Sequence, residues 1–249
     1  MRSKTLILAL TAFIIAVSAM VAHAETASDL MQKEQAASKL FDDADALLIQ
    51  KNDDAALVKY NEILNTYPDS LAAPVAMIRI ANIQRSNKQF AESIATFNKI
   101  VAKYPDTSFA AQAMFNIANI YEETTDMQQA IDKYQEISDK YPNSENQNIT
   151  NVVSQAKTHH DNLQNSVTLI KEKIKQREER IVKLKTYKMP PDQLEKMMVD
   201  NYINLVDLYS MVNKKNEAIK CLEKALEEYP NNDNKILIIN KLKGLHNNE

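Results

Sequence analysis

Apolar residues recur three and four apart through stretches separated by short polar breaks, the spacing of helices that bury one face. The breaks at Lys51-Asn-Asp-Asp, Ser86-Asn-Lys, Glu123-Thr-Thr-Asp and Asn213-Lys-Lys-Asn hold no glycine, and each divides a pair of helices. Asp, Asn and Ser are able to take glycine's place at such turns by bonding nearby backbone. Each pair closes on a Tyr-Pro: Tyr67-Pro68, Tyr104-Pro105, Tyr141-Pro142 and Tyr229-Pro230, spaced 37, 37 and 88 residues apart. Proline ends the preceding helix, and the Asp/Asn-Ser/Thr after the first three pairs is placed to cap the next one. Within the period, positions 12 residues before Pro are small (Ala56, Ser93, Ala130, Ala218) and positions 8 before are large (Tyr60, Phe97, Tyr134, Leu222). Compact residues fall 24 before it, at Ala44, Ala81, Ala118 and Val206. Small residues at a helix crossing with a large one a turn later are what a tight antiparallel hairpin needs.

The period breaks between the third and fourth Tyr-Pro pairs, where 51 residues more than one period are inserted. Ile149, Val152, Val153, Ala156, Leu163, Val167, Ile170, Ile174, Ile181 and Leu184 form a stripe there, with His160 and Arg177 filling stripe positions. No Pro or Gly interrupts 143–188, so the stretch reads as one long helix or two bent near Thr158–Asp161, part of it protruding or pairing with another helix. Asp233 to Leu245 forms an amphipathic helix suited to close the array, whose last stacking face would otherwise be exposed.

At the other end, Arg2 and Lys4 precede an apolar run from Leu6 to Val21 that ends in Ala22-His23-Ala24. This is the layout of a secretory leader cleaved after Ala24; the rival reading is an uncleaved anchor. No Cys follows the small residues, so lipid modification is not expected. The expected organisation is a leader over 1–24, three repeats over 25–144, a helical insertion over 145–191, a fourth repeat over 192–232 and a capping helix over 233–249.

Composition narrows the chemistry. The 249 residues include one glycine, Gly244, where average usage predicts roughly 17. Phosphate-binding loops and dinucleotide fingerprints need several and are excluded. The net charge is −3; without Arg2 and Lys4 the 30 basic residues become 28 against 33 acidic, a net −5, so nucleic acid is not an expected partner. The single Cys221 has no partner for an intrachain disulfide. Adjacent His159 and His160 point about 100° apart on a helix and cannot share a metal as an i, i+4 pair does. Paired carboxylates such as Asp42-Asp43 and Glu227-Glu228 show no sign of burial. No catalytic constellation emerges, and no cofactor or metal is expected.

The small–small–aromatic–Pro order on a helix-turn-helix period resembles the tetratricopeptide repeat family over roughly 37–70, 71–107, 108–144 and 199–232. The Tyr-Pro-(Asp/Asn)-(Ser/Thr) join is most similar to the subgroup in bacterial envelope proteins such as the β-barrel-assembly lipoprotein and the cell-division coordinator of the Tol–Pal system. The chain lacks the lipid-attachment Cys of the first and the N-terminal coiled coil of the second, so the resemblance implies fold and compartment and not role. It implies an all-α solenoid of stacked hairpins, exported to the periplasm, that binds a protein or peptide on the concave face formed by the first helix of each repeat. On that geometry the face includes Phe41, Ile78, Arg79, Asn82, Phe115, Asn116 and Asn119. Asparagine suits pairing with an extended backbone. Phe41 and Ile78 stand where relatives that clamp a terminal carboxylate carry Lys, so an apolar floor with amides is expected instead. In the fourth unit Asp200, Ile203, Asn204 and Asp207 match. A different reading makes the insertion the contact: Lys171–Lys188 carries eight basic and three acidic residues. Lys173, Lys175, Arg180 and Lys183 would then meet an anionic partner, or the helix would tether the protein or self-associate; a solvated coiled-coil face is the plainer alternative.

Overall fold

The computed structural model describes the backbone of residues 2–246 and the side chains of residues 26–246. Residues 1–24, the expected leader, lie outside the described side chains. Every element among the described residues is a helix: α1 (Arg2–Ile49), α2 (Asp53–Thr66), α3 (Ala72–Ser86), α4 (Phe90–Lys103), α5 (Ser108–Glu123), α6 (Met127–Lys140), α7 (Gln147–Leu184), α8 (Pro191–Met211), α9 (Lys215–Glu228) and α10 (Lys235–His246). The chain divides into two compact units, residues 1–105 and 106–249, with the boundary between the second and third repeats.

In the first unit, α1 pairs with α2 and α3 with α4, and α2 and α1 both contact α3. Ala44, Ala56, Tyr60, Ile63, Ala73, Ala76, Ile80 and Ile83 form its core. Ala at the crossings lets backbones approach, and Tyr60 and Ile63 fill the volume beyond. Ser93 stands where the other repeats have Ala; its hydroxyl is fully buried yet donates to the Ala81 carbonyl at 2.7 Å, so the substitution leaves no unpaired polar atom.

In the second unit α5 pairs with α6 and α8 with α9, and α7 joins them. It is one unbroken 38-residue helix, about 57 Å long at 1.5 Å per residue. Its N-terminal half buries Ile149, Val152, Val153 and Ala156 and takes the place of a next first helix. Its C-terminal half buries Ile174, Ile181 and Leu184 among Met198, Tyr202, Leu205 and Leu222 of the second core. Of the two expectations for this stretch, protrusion or pairing with another helix, the structure shows the second. α10 seats Ile238 on α9 and ties to α8 through Lys241 and Asp207, 2.6 Å apart.

The joints follow from single residues. Tyr67, Tyr104, Tyr141 and Tyr229 are the C-caps of α2, α4, α6 and α9, each with φ between −135° and −124° and ψ between 52° and 67°, out of the helical region that a following Pro disfavours. Between paired helices Lys51, Lys88, Thr125 and Asn213 hold positive φ of 59°, 60°, 62° and 55°. The left-handed position thus falls on Lys, Lys and Thr in three of four turns, while Asn52 and Asp126 cap the next helix by accepting from Ala55 N and Gln129 N. The expected caps after Tyr-Pro hold once: Thr107 accepts from Ala110 N. Ser70 instead donates back to the Tyr67 carbonyl, and Asn146, not Ser144, caps α7. α3 is capped from a distance, its Leu71 N–H donating to the Glu34 carboxylate of α1 at 3.1 Å.

Candidate functional site

The face presented by α1 and α3 gathers Phe41, Ile78, Arg79 and Asn82. Arg79 donates from two nitrogens to both oxygens of Asp45, at 3.1 and 3.0 Å, and its guanidinium lies 5.8 Å from the centre of the Phe41 ring. Tyr60 reaches the same Asp45 oxygen that Arg79 Nε uses, and its ring tilts against Phe41 at 5.6 Å. Burial and the Asp45 carboxylate raise the Tyr60 pKa, keeping the hydroxyl protonated and donating. Arg79, expected on the binding face, is thus engaged within the protein by a bidentate pair with Asp45. Asn82 is half-buried, and its side chain has no hydrogen-bond partner among the described residues.

Beside this cluster runs an apolar groove of about 450 Å³ between α1 and α3, walled by Met31, Ser38, Phe41, Leu71 and Val75. Met31 and Leu71 are 66 % and 80 % exposed, large apolar residues left in solvent at its mouth. Of the groove's residues, Phe41 is expected on the binding face from the sequence, whereas Met31 and Leu71 are missed by it. Both fall outside the repeating small–large pattern, so periodicity gives them no weight.

In the second unit Phe115, Asn116 and Asn119 lie together on α5. Phe115 is buried against Tyr134 and His159, with ring centres 5.5 Å away in each case. It is core and not an open floor, because the N-terminal half of α7 covers it. The Asn119 carbonyl accepts from the Tyr134 hydroxyl, which also lies 2.9 Å from Glu122, while Asn116 donates to its own helix at the Gln112 carbonyl. His159 Nδ1 stands 3.1 Å from Glu122. His159 thus meets Phe115 and Glu122, while His160, the less exposed of the two at 25 % against 42 %, keeps its expected stripe position and bonds Asp161 at 3.0 Å.

On α7, Lys173, Lys175, Arg180 and Lys183 are placed where only part of the set converges. Lys173 and Arg180 line a cleft of about 500 Å³ with Asn204 and Asp207 of α8; Arg180 and Lys183 line a second, of about 380 Å³. Lys175 lines neither. Arg177, expected in the buried stripe, lies at the cleft edge and donates to Asn201, which is 4 % exposed. Burial pushes the Cys221 thiol up to about 11, so it is neutral at physiological pH and a poor nucleophile. Among the described residues no group of three His, Cys, Asp or Glu converges as a metal site.

Repeated antiparallel hairpins, with small residues at each crossing and proline at each exit, define a helical-repeat protein. Tetratricopeptide repeat models match residues 75–107, 112–144 and 199–232, which coincide with α3–α4, α5–α6 and α8–α9. Over those three stretches the chain matches tetratricopeptide repeats; the expected first repeat, 37–70, lies outside these matches. No curated protein matches the chain. Similar solved structures include the complex of the yeast Sti1 TPR2AB domain with pHSP90, at 17% identity over 80% of this chain and 79% of that one, TM-score 0.43. A tetratricopeptide repeat protein of Thermus thermophilus is 15% identical over 84% of this chain and 98% of that one, TM-score 0.37. Another, from Parabacteroides merdae, is 15% identical over 84% and 86%, TM-score 0.38.

Proposed function

We propose that this protein is a non-enzymatic scaffold of the bacterial cell envelope that binds a protein or peptide segment against α1 and α3. The observation that carries the reading is the apolar groove walled by Phe41 and Val75, with Met31 and Leu71 exposed at its mouth and the unengaged Asn82 amide nearby. Exposed large apolar residues around a concavity mark an interaction surface. Ile78 and Asn82 extend that surface along α3, and Arg79 stiffens it through Asp45. Asn116, Asn119 and Phe115 belong to the second unit, where Asn119 and Phe115 are engaged in its own packing. The periplasmic compartment rests on the Arg2/Lys4, Leu6–Val21 and Ala22-His23-Ala24 leader and on the envelope-type Tyr-Pro join.

The test is capture from envelope extract with wild type beside Asn82→Ala and Val75→Glu variants of matched stability. Proteins captured by wild type and lost by both variants support the groove; capture indifferent to both sinks it. Fractionation of the full-length protein with N-terminal sequencing tests export, with Glu25 expected as the first residue of a periplasmic product and an intact cytosolic chain as the contrary result.

A second reading has its own observation. Lys173, Arg180 and Lys183 of α7 line clefts against α8, so α7 would make an anionic contact that tethers the protein, with the repeats as platform.

A further inference from the structure

The clefts between α7 and α8 adjoin, with Gln176 and Arg180 in the lining of both, and together they make a two-part trough along the C-terminal half of α7. Lys173, Arg180 and Lys183 stand along its α7 wall, and none has an ion-pair partner among the described residues. Arg177 adds a fourth cation, whose bond to the neutral Asn201 leaves its charge uncancelled. Of the acids in the trough, Asp207 is held by Lys241 at 2.6 Å, and Glu179 is the other. Lys185 and Lys214 of the same unit are by contrast paired, with Glu228 and Glu217. Between the cations lie apolar side chains, Leu208 and the 47 % exposed Met211 in one cleft and Leu184 and Met197 in the next.

We infer that this trough binds an acidic polypeptide segment in which carboxylates alternate with apolar side chains. The inference rests on the second reading above, that α7 itself makes a contact, and names the partner. Lys173 to Lys183 covers about 15 Å on a helix, the length of about five extended residues. Alternating side chains on such a strand send one set to these apolar side chains and the other to the cations. The recess decides against a bilayer as occupant: cations lining a cleft beside apolar side chains fit a chain that enters, whereas a flat headgroup surface reaches convex faces. Charge complementarity makes the contact salt-dependent.

The test uses the full chain and a fluorescein-labelled peptide of about six residues alternating Glu and Leu, read by anisotropy at low and high salt. Binding that weakens with salt, and falls at least tenfold in Lys173→Glu/Arg180→Glu but not in Lys39→Glu/Lys99→Glu, is the expected result. The control places the same charge change on exposed positions of the first unit and shows whether net charge alone is responsible; equal loss in both overturns the site. Full retention in Met211→Asp/Leu208→Asp overturns the apolar contact. If phosphatidylglycerol vesicles bind through Lys173 and Arg180 while the peptide does not, the second reading stands and the acidic-segment proposal falls.

Discussion

Asp45, Asn82 and Asn119 stand 37 residues apart, and one oxygen atom separates their roles. At the matching place on the second helix of each repeat comes the large residue: Tyr60, Phe97 and Tyr134. The two tyrosines place a hydroxyl on Asp45 and Asn119, while Phe97 has none to offer Asn82. An added hydroxyl at position 97 should therefore find the Asn82 amide where the other repeats find their partner. We expect Phe97→Tyr to be no less stable than wild type, with a gain of up to about 1 kcal/mol, and to weaken groove binding by occupying Asn82. Urea unfolding and partner capture check both halves; a loss of stability would show that the second repeat is packed unlike its neighbours. Glu228 supplies a pH-dependent counterpart. Burial pushes its carboxyl up, but Lys185 at 2.6 Å and the Tyr202 hydroxyl at 3.0 Å outweigh that and hold it below the usual range. A carboxyl lowered on folding stabilises the protein above its unfolded pKa of about 4.3, and that stabilisation is lost as pH falls through the folded value. Glu228→Gln should cost about 1 kcal/mol at neutral pH, since Lys185 is partly exposed, and the difference should shrink in denaturant titrations as pH falls below the unfolded value and through the folded one.

The turns between paired helices concentrate the local strain. Thr125 is a β-branched residue at φ 62°, where a Cβ crowds the following carbonyl at a cost of about 1–2 kcal/mol. Thr125→Gly should raise stability by about 1 kcal/mol after glycine's larger entropy loss is subtracted. Asn213→Gly should gain less, because asparagine already tolerates this region. A comparison of the two urea midpoints decides it, and equal effects would count against backbone strain as the cause. Hairpin positions were legible because they repeat: the buried Ala56, Ser93, Ala130 and Ala218, and the Tyr-Pro C-caps, each carry the same local meaning four times. What was not legible depends on pairs across helices. Nothing local separates Asn82 from Asn119, whose difference lies in a residue on the following helix. Adjacent histidines look alike until α7 is docked, and only then does His159 meet Glu122. Phe115 reads as an open floor residue for the same reason, because the helix that buries it belongs to the stretch that breaks the period.

At the scale of the second unit, α7 serves two hairpins at once. Residues 149–156 complete the stack on α5 and α6, and residues 174–184 complete the core with α8 and α9. In stacked repeats, stability is close to a sum of nearest-neighbour contacts, so cooperation between the two halves must pass through the helix that both share. Asn165 is exposed on α7 between buried Leu163 and Val167, where a change of side chain disturbs no packing. Proline at that position removes one helical hydrogen bond and collides with the carbonyl four residues earlier, at a cost of about 3 kcal/mol or more. Asn165→Pro should therefore split the unfolding of this unit into two transitions, whereas Asn165→Ala should keep it single. Calorimetry read beside hydrogen exchange identifies which helices melt first, with α8 to α10 expected to leave as one group. A single transition, merely shifted downward, would mean that the α5–α6 and α8–α9 hairpins are coupled by contacts other than a continuous α7.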